Sequence, residues 1–188
     1  MTSFFKYFYA IVFSFLMSGC TEMVTLSPAI HTGSIKSVGK GESVILEVVD
    51  ARGNAPIEDD HLPLGTNQVF DQTSHTTQVV YKEVEKGLIS AGFKPVDYSK
   101  RDMVLRKIII SLDKLKYKNI AGFFSIESTI SVKVINNGIV YQNSYKASKS
   151  DQIILWETHV NERLISGVLS ENISKIFYDR KLMSTLAK

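Results

Sequence analysis

The side chains that could bind a metal or catalyse a reaction are few and scattered along the sequence. The four histidines are His31, His61, His75 and His159. Asp59-Asp60-His61 together with His75 contains metal-ligating residue types. These residues lie in a loop and near a predicted helix start, where Asp and His are common because of turn geometry and solvation. The sequence therefore predicts no metal site.

Asp50 and Arg52 follow a predicted strand, a position where active sites often lie. A salt bridge within the turn is the simpler interpretation. The sequence contains no nucleophile elbow, no phosphate-binding loop and no zinc-type spacing of cysteine and histidine. We therefore predict no catalytic residue and no cofactor, and expect a protein that is not an enzyme.

A row of basic residues, Lys114, Lys116 and Lys118, has Asp113 and Tyr117 interleaved. One interpretation is the solvent-facing edge of a strand, where lysine discourages edge-to-edge pairing. The other is a binding site for an anionic glycan or lipid headgroup. The formal net charge of only +3, without a dense basic run on an aromatic platform, excludes a nucleic acid as the expected partner.

The N-terminal residues have the pattern of a signal peptide. Lys6 precedes an apolar run over residues 7–17, which is too short to span a bilayer because spanning needs about 20 apolar residues. Small residues at positions 18 and 19 come directly before Cys20, the only cysteine in the chain. A plain signal peptide with an incidental cysteine, or an N-terminal membrane helix, is the alternative.

The segment Leu16-Met17-Ser18-Gly19-Cys20 resembles the lipobox of bacterial lipoproteins, with Met17 where leucine is usual. The resemblance implies cleavage before Cys20, a diacylglycerol on its sulfur and a further acyl chain, such as palmitate, on the new amine. Such a lipid gives stable membrane attachment. By the same resemblance, Thr21 implies sorting to the outer membrane, facing the periplasm, because aspartate there would retain a lipoprotein at the inner membrane.

The predicted organisation has three parts. Residues 1–19 form the lipoprotein signal peptide, residues 20–42 comprise lipidated Cys20 and a tether, and residues 43–188 form a single periplasmic α+β domain. The tether is rich in Gly, Ser and Thr and shows no sustained hydrophobic period. If it is flexible, its 22 or so residues span roughly 25–28 Å.

Hydrophobic periodicity predicts strands over 44–49, 104–117 and 124–134, and helices over 74–91 and 159–177. Asn137-Gly138 predicts a two-residue hairpin leading into a fourth strand, and Gly92 suits the left-handed position after the first long helix. The predicted fold class is α+β, with a mostly antiparallel sheet of about four strands. Two long helices pack on one face, followed by a short C-terminal helix beginning at Asp179.

Several short segments carry a second resemblance. They are Ser27-Pro28-Ala29-Ile30, Asp50-Ala51-Arg52, Leu88-Ile89-Ser90-Ala91-Gly92-Phe93, Leu112-Asp113-Lys114-Leu115-Lys116-Tyr117 and Ser144-Tyr145-Lys146-Ala147-Ser148. With them, nearly the whole mature chain resembles the YajG-type family of small Gram-negative lipoproteins. The resemblance implies location and fold and supplies no catalytic residue.

The expected function is therefore a lipid-anchored envelope module that binds or scaffolds on the periplasmic side of the outer membrane. Its expected partners are the membrane, through the lipid on Cys20, and an unidentified envelope protein. The alternative is an auxiliary component of an envelope lipid or lipopolysaccharide transport system. That alternative requires a lipid-binding groove between the helices and the sheet.

Overall fold

The structure is a computed structural model that describes residues 26–30, 35–52, 58–59, 73–96, 105–120, 123–152 and 160–188. Within these ranges the helices are α1 (Thr73–Ser90), α2 (Val160–Tyr178) and α3 (Arg180–Ala187). The strands are β1 (Ser43–Asp50), β2 (Glu58–Asp59), β3 (Lys94–Val96), β4 (Arg106–Ile120), β5 (Phe123–Asn136) and β6 (Ile139–Gln152). The predicted α+β class is confirmed.

The strands form one mixed sheet in the order β3-β1-β4-β5-β6, and the two-residue strand β2 also pairs with β4. The pairs β4–β5 and β5–β6 are antiparallel, as predicted. However, β1 is parallel to both of its neighbours, β3 and β4. The prediction of a mostly antiparallel sheet of about four strands is therefore wrong in the number of strands and in the direction of β1.

The path of α1 explains the direction of β1. The chain leaves α1 at Gly92, whose carbonyl accepts a hydrogen bond of 2.8 Å from the amide of Gly41, just before β1. The amide of Lys94 then donates to the carbonyl of Glu42 at 2.9 Å. Because the helix has returned the chain to the starting end of β1, β3 runs in the same direction as β1.

The end of α1 has the geometry that the sequence predicts. The amide of Phe93 donates to the carbonyl of Leu88, and that of Gly92 to the carbonyl of Ile89, both at 3.0 Å. These are the two hydrogen bonds of a Schellman ending. Gly92 has a φ of +89°, and a Cβ atom there would lie 2.4 Å from the carbonyl oxygen of Gly39. Both the backbone conformation and the close approach therefore require glycine at position 92.

The β5–β6 hairpin is confirmed in turn type and register. Asn137 and Gly138 have φ values of 49° and 82°, which is the conformation of a type I′ turn. Asn136 is opposite Ile139, and Val134 is opposite Tyr141. The local turn and the distribution of apolar residues along the two strands thus specify the same pairing.

The helices and the inner face of the sheet share one hydrophobic core, as the sequence predicts. The following members are at most 1% exposed: Val80, Val84 and Leu88 of α1; Ile165, Leu169, Ile173 and Ile176 of α2; Leu182 and Leu186 of α3; and Ile108, Ile110, Ile130 and Val132 of the sheet. One buried polar contact crosses this core, because the side-chain amide of Asn172 donates to the hydroxyl of Ser128 at 2.5 Å. Over the described residues, the space between α2 and β5 is therefore a filled core. The lipid-transport alternative requires a groove there.

Candidate anchoring and interaction sites

Several of the predicted site residues lie outside the described residues. These are Cys20, Thr21, His31, His61 and His159. Lipidation at Cys20 and sorting by Thr21 therefore stay predictions. His75 lies in α1, but its side chain is outside the description. Among the described residues, no three His, Cys, Asp or Glu side chains come together in a group that could hold a metal ion.

Asp50 and Arg52 form the turn salt bridge that the sequence indicates. The Nε atom of Arg52 donates to Oδ1 of Asp50 at 2.9 Å, and Nη2 donates to Oδ2 at 2.5 Å. The two side chains are only 9% and 10% exposed. The hydrogen bonds from Arg52 lower the pKa of the Asp50 carboxyl and outweigh the opposing effect of burial. The carboxylate of Asp50 is therefore held in an ion pair with the guanidinium of Arg52, which is a structural arrangement and not that of an acid–base catalyst.

At Lys116, in the middle of the basic row, β4 has a strand on each side, so the edge-strand interpretation is wrong at that position. β4 pairs with β5 along one side, and on its other side with β1 as far as Leu112 and then with β2 at Lys116 and Tyr117. The Nζ atom of Lys114 lies 3.2 Å from a carboxylate oxygen of Glu127 on β5. Lys114 therefore already has an acidic partner within the sheet.

Residues 26–30 lie along α2 and are attached to it by two serines. The amide of Ser27 donates to Oγ of Ser166 at 3.0 Å, and the amide of Ala29 donates to Oγ of Ser170 at 2.9 Å. Two residues of extended chain advance about 6.6 Å and four residues of helix advance about 6 Å. Alternate amides of the extended segment therefore meet hydroxyls that are one helical turn apart.

Side-chain packing also fixes this segment. Pro28 and Ile30 are buried, and Leu26 packs against the hydrophobic core. Further along, the amides of Val38 and Gly39 both donate to the carbonyl of Ala91, at 3.0 and 2.9 Å. Over its described residues, the segment predicted to be a tether is thus part of the packed structure. The division of the chain at residues 42 and 43 stays a prediction.

The attachment of this segment was missed by the sequence analysis, although a signal was present. Apolar residues alternate with small residues from Leu26 to Ile30, which is the pattern of an extended segment with one buried side. Ser166 and Ser170 gave no such signal, because serine on a helix surface is usually solvated. Only the meeting of the two elements shows that these hydroxyls accept backbone hydrogen bonds.

Residues 26–30 have a defined direction along α2. Residues 27–29 run in the same direction as α2, because Ser27 meets Ser166 and Ala29 meets Ser170. The start of α2 is attached to the end of β6 by an ion pair of 2.8 Å between Arg163 and Asp151. At Leu26, its first described residue, the segment therefore points back towards the end of the sheet where Ile120 pairs with Phe123. We call this the β4–β5 turn end.

The opposite end of the sheet, where Asn136 pairs with Ile139, is the β5–β6 turn end. It carries three exposed apolar side chains: Leu105 is 73% exposed, Ile139 48% and Val140 57%. The buried side-chain amide of Asn136 supports this end by donating to the carbonyl of Thr185 at 2.9 Å, near the end of α3. That contact satisfies a carbonyl which a helix C-terminus leaves without an intrahelical partner.

Asp179 joins β6 to the junction of α2 and α3. Its Oδ2 atom accepts hydrogen bonds from three side chains of β6: the hydroxyl of Tyr145 at 2.7 Å, the amide of Asn143 at 2.9 Å and the hydroxyl of Tyr141 at 3.1 Å. Its Oδ1 atom accepts from the amide of Leu182 at 3.0 Å and so caps α3. The carboxylate thus binds donors from a strand and from a helix at the same time.

The electrostatics of this cluster are those of a structural contact. Burial would raise the pKa of the Asp179 carboxyl, but the hydrogen bonds from Leu182 and from the three β6 side chains lower it below its usual value. Burial and the contact with Asp179 raise the pKa of the Tyr145 hydroxyl. At neutral pH the carboxylate is therefore ionised and the phenol is neutral, and the arrangement does not favour proton transfer between them.

None of the helices in the described part of the chain is long and apolar enough to cross a bilayer.

No protein-family model and no curated protein matches this sequence. The fold is similar to that of protein XCC0632 from Xanthomonas campestris, a DUF330 protein, with a TM-score of 0.53 and 12% identity over 82% of this chain and 89% of that one. This likeness establishes the fold alone.

Two other solved structures match with lower TM-scores. One is the PelC L103M dodecamer from Paraburkholderia phytofirmans, with a TM-score of 0.46 and 12% identity over 87% of this chain and 96% of that one. The other is a minor lipoprotein from Acinetobacter baumannii, with a TM-score of 0.41 and 10% identity over 78% and 90% of the two chains. Likenesses of this size carry no argument about function.

Proposed function

We propose that this protein is a lipid-anchored lipoprotein of the bacterial envelope that acts as a non-enzymatic binding or scaffolding module. The segment Leu16–Cys20 supports lipid attachment, and Thr21 supports a position on the periplasmic side of the outer membrane. The resemblance to the YajG-type family supports the same location. The observation that supports the proposal is the attachment of residues 26–30 to α2, because folded structure then begins six residues after Cys20, the proposed site of lipidation.

The number of residues between Cys20 and Leu26 limits the distance between the domain and the membrane. Six residue steps separate Cys20 from Leu26, and a fully extended chain of that length spans about 20 Å. A domain restricted to a thin layer at the membrane meets other surface-bound proteins at a raised effective concentration. A small and weak interface is then sufficient for binding.

The β5–β6 turn end is the surface that we assign to a protein partner. β5 has 14 residues, so its two ends lie roughly 45 Å apart, and the β5–β6 turn end is remote from the point where the anchor leaves the domain. The exposed side chains of Leu105, Ile139 and Val140 give this end apolar area that a partner can bury. The hydrogen bond from Asn136 to the carbonyl of Thr185 ties this end of β5 to α3, and a preorganised surface favours binding.

Lipid attachment is tested by Cys20→Ser. The variant is expected to lose all metabolic palmitate label and to be found in the soluble periplasmic or unprocessed fraction, because serine has no thiol for the thioether bond. Val140→Ser is the matched control and should keep both the label and the membrane fraction. Absence of label on the wild-type protein, or label that persists on Cys20→Ser, contradicts the proposal.

Sorting is tested by Thr21→Asp. We expect this variant to move from the outer-membrane to the inner-membrane fraction while its palmitate label is unchanged. Thr21→Ser keeps a small hydroxyl side chain and should remain in the outer-membrane fraction. Density-gradient fractionation of labelled cells measures both. Wild-type protein in the inner-membrane fraction would show that Thr21 does not have the proposed role.

A further inference from the structure

We propose that the β4–β5 turn end lies against the lipid bilayer, with the ring of Phe123 inserted at the level of the lipid headgroups. This inference rests on the proposed lipidation of Cys20. It goes beyond that proposal because it assigns the part of the folded domain that meets the membrane and the side chain that enters it.

The path of residues 26–30 along α2 supports this orientation. Ser27 meets Ser166 and Ala29 meets Ser170, so the chain runs from the start of α2 towards its end. The start of α2 lies beside the end of β6, as the ion pair between Arg163 and Asp151 shows. At Leu26, the described chain therefore points back towards the β4–β5 turn end, the end that we propose faces the lipid anchor.

The distance that the chain from Cys20 to Leu26 can span favours the same end of the sheet. Ser166 lies six residues after the start of α2, about 9 Å along the helix axis. The chain between Leu26 and Cys20 spans at most about 20 Å, whereas the sheet is roughly 45 Å long. The bilayer is therefore within reach of the β4–β5 turn end. A molecule with its β5–β6 turn end on the bilayer would have to carry the anchor back along most of the sheet.

An exposed aromatic side chain, that of Phe123, lies at the β4–β5 turn end. Phe123 is the first residue of β5, pairs with Ile120 and Gln152, and is 56% exposed. Moving an exposed aromatic ring from water into the membrane interface is favourable, because its apolar surface is removed from water. Phenylalanine is a common anchoring residue in that interface. Among the described residues, Phe123 is the exposed large hydrophobic side chain at this end.

Two apolar side chains of similar exposure, Phe123 and Val140, lie at opposite ends of the sheet. Val140 is 57% exposed, almost the same fraction as Phe123, but it lies at the β5–β6 turn end. A contact that depended only on exposed apolar surface would involve both residues equally. Contact that depends on the orientation of the domain involves Phe123 and spares Val140.

The test uses the lipidated protein reconstituted into phosphatidylethanolamine–phosphatidylglycerol vesicles. Lipid blocks Cys20, the single cysteine of the chain, so Phe123→Cys and Val140→Cys each provide one free thiol for a nitroxide label. Collision with oxygen, which concentrates in lipid, is compared with collision with a water-soluble nickel chelate by electron paramagnetic resonance. We expect the oxygen-to-nickel ratio to be several-fold higher at position 123 than at position 140.

Equal ratios at positions 123 and 140, or a higher ratio at 140, would overturn the proposed orientation. Arg163→Cys provides a second label at the β4–β5 turn end and should also give a higher ratio than position 140, so the test does not depend on the fold of one variant. Failure of the proposed function gives a different result, because mass spectrometry would then find Cys20 without lipid and the protein would not sediment with the vesicles.

Discussion

Asp179→Ala is expected to lower the free energy of unfolding by about 3 kcal/mol, measured by urea denaturation. Removal of the carboxylate removes the cap of α3, which costs about 1 kcal/mol. It also leaves the hydroxyl of Tyr145, a residue only 8% exposed, without its acceptor, and an unsatisfied buried donor costs about 1–3 kcal/mol. The side-chain amide of Asn143 and the hydroxyl of Tyr141 lose the same acceptor.

Two further variants show whether the effect arises from this cluster. Asp151→Ala also removes a carboxylate, but its ion pair with Arg163 is exposed, so the cost should be below about 1 kcal/mol. Tyr145→Phe should destabilise the wild-type protein and have little effect in the Asp179→Ala background, because the shared hydrogen bond is already lost. Similar costs for Asp179→Ala and Asp151→Ala would contradict the structural role assigned to Asp179.

The same carboxylate makes the stability depend on pH. The pKa of Asp179 is lower in the folded protein than its usual value, so its ionised form stabilises the fold. This contribution is complete above the unfolded-state pKa of about 4 and is lost as the pH falls through the lower folded-state pKa. The stability difference between the wild type and Asp179→Asn should therefore shrink below pH 4.

Gly87→Ala is expected to destabilise the protein by about 2 kcal/mol, although alanine is favoured over glycine within a helix by about 1 kcal/mol. A Cβ atom at position 87 would lie 2.2 Å from two ring carbons of Phe177. Phe177 is buried in the core, so its ring cannot move aside without displacing its neighbours, and overpacking of this kind costs about 1–3 kcal/mol or more. Thermal or urea unfolding measures the result.

Gly167→Ala is the matched control for this substitution. Gly167 also lies within a helix, but a Cβ atom there would meet the end of the Lys149 side chain, 2.8 Å from Nζ, and that side chain is free to shift. We expect Gly167→Ala to be neutral or slightly stabilising. Phe177→Leu should relieve part of the cost of Gly87→Ala. If Gly87→Ala were as stable as Gly167→Ala, the contact between α1 and the Phe177 ring would be looser than the structure describes.

The sequence by itself determined the features that depend on neighbouring residues. Asn137-Gly138 specified the turn, and the alternation along β5 and β6 then specified the register, because a slip of one residue would reverse the buried and exposed faces. Gly92 and Phe93 specified the end of α1 in the same way. The apolar stripes of α1 and α2 also identified most of the core. Each of these features follows from residues that are close together in the chain.

The sheet topology was decided by tertiary structure. A strand, a helix and a second strand are compatible with a parallel or an antiparallel arrangement, and the contact of Gly92 with Gly39 and Gly41 determines which one forms. The bulge at Asp113 was also decided by tertiary structure. Leu112 pairs with Ile130 and Lys114 with Thr129, so Asp113 is the extra residue on β4. The extra residue depends on the partner strand and leaves no local mark that distinguishes it from ordinary alternation.

The candidate sites also differ in whether neighbouring residues or residues far apart in the chain define them. The proposed roles of Cys20 and Thr21 rest on a local motif of neighbouring residues, so they can be predicted from the sequence alone. The attachment of residues 26–30 joins the chain to serines about 140 positions away, and Asp179 meets donors more than 30 positions away. Serine, asparagine and tyrosine are ordinary surface residues by composition. They become partners of a particular amide or carboxylate only because the packing of the apolar core brings α2 and β6 side by side.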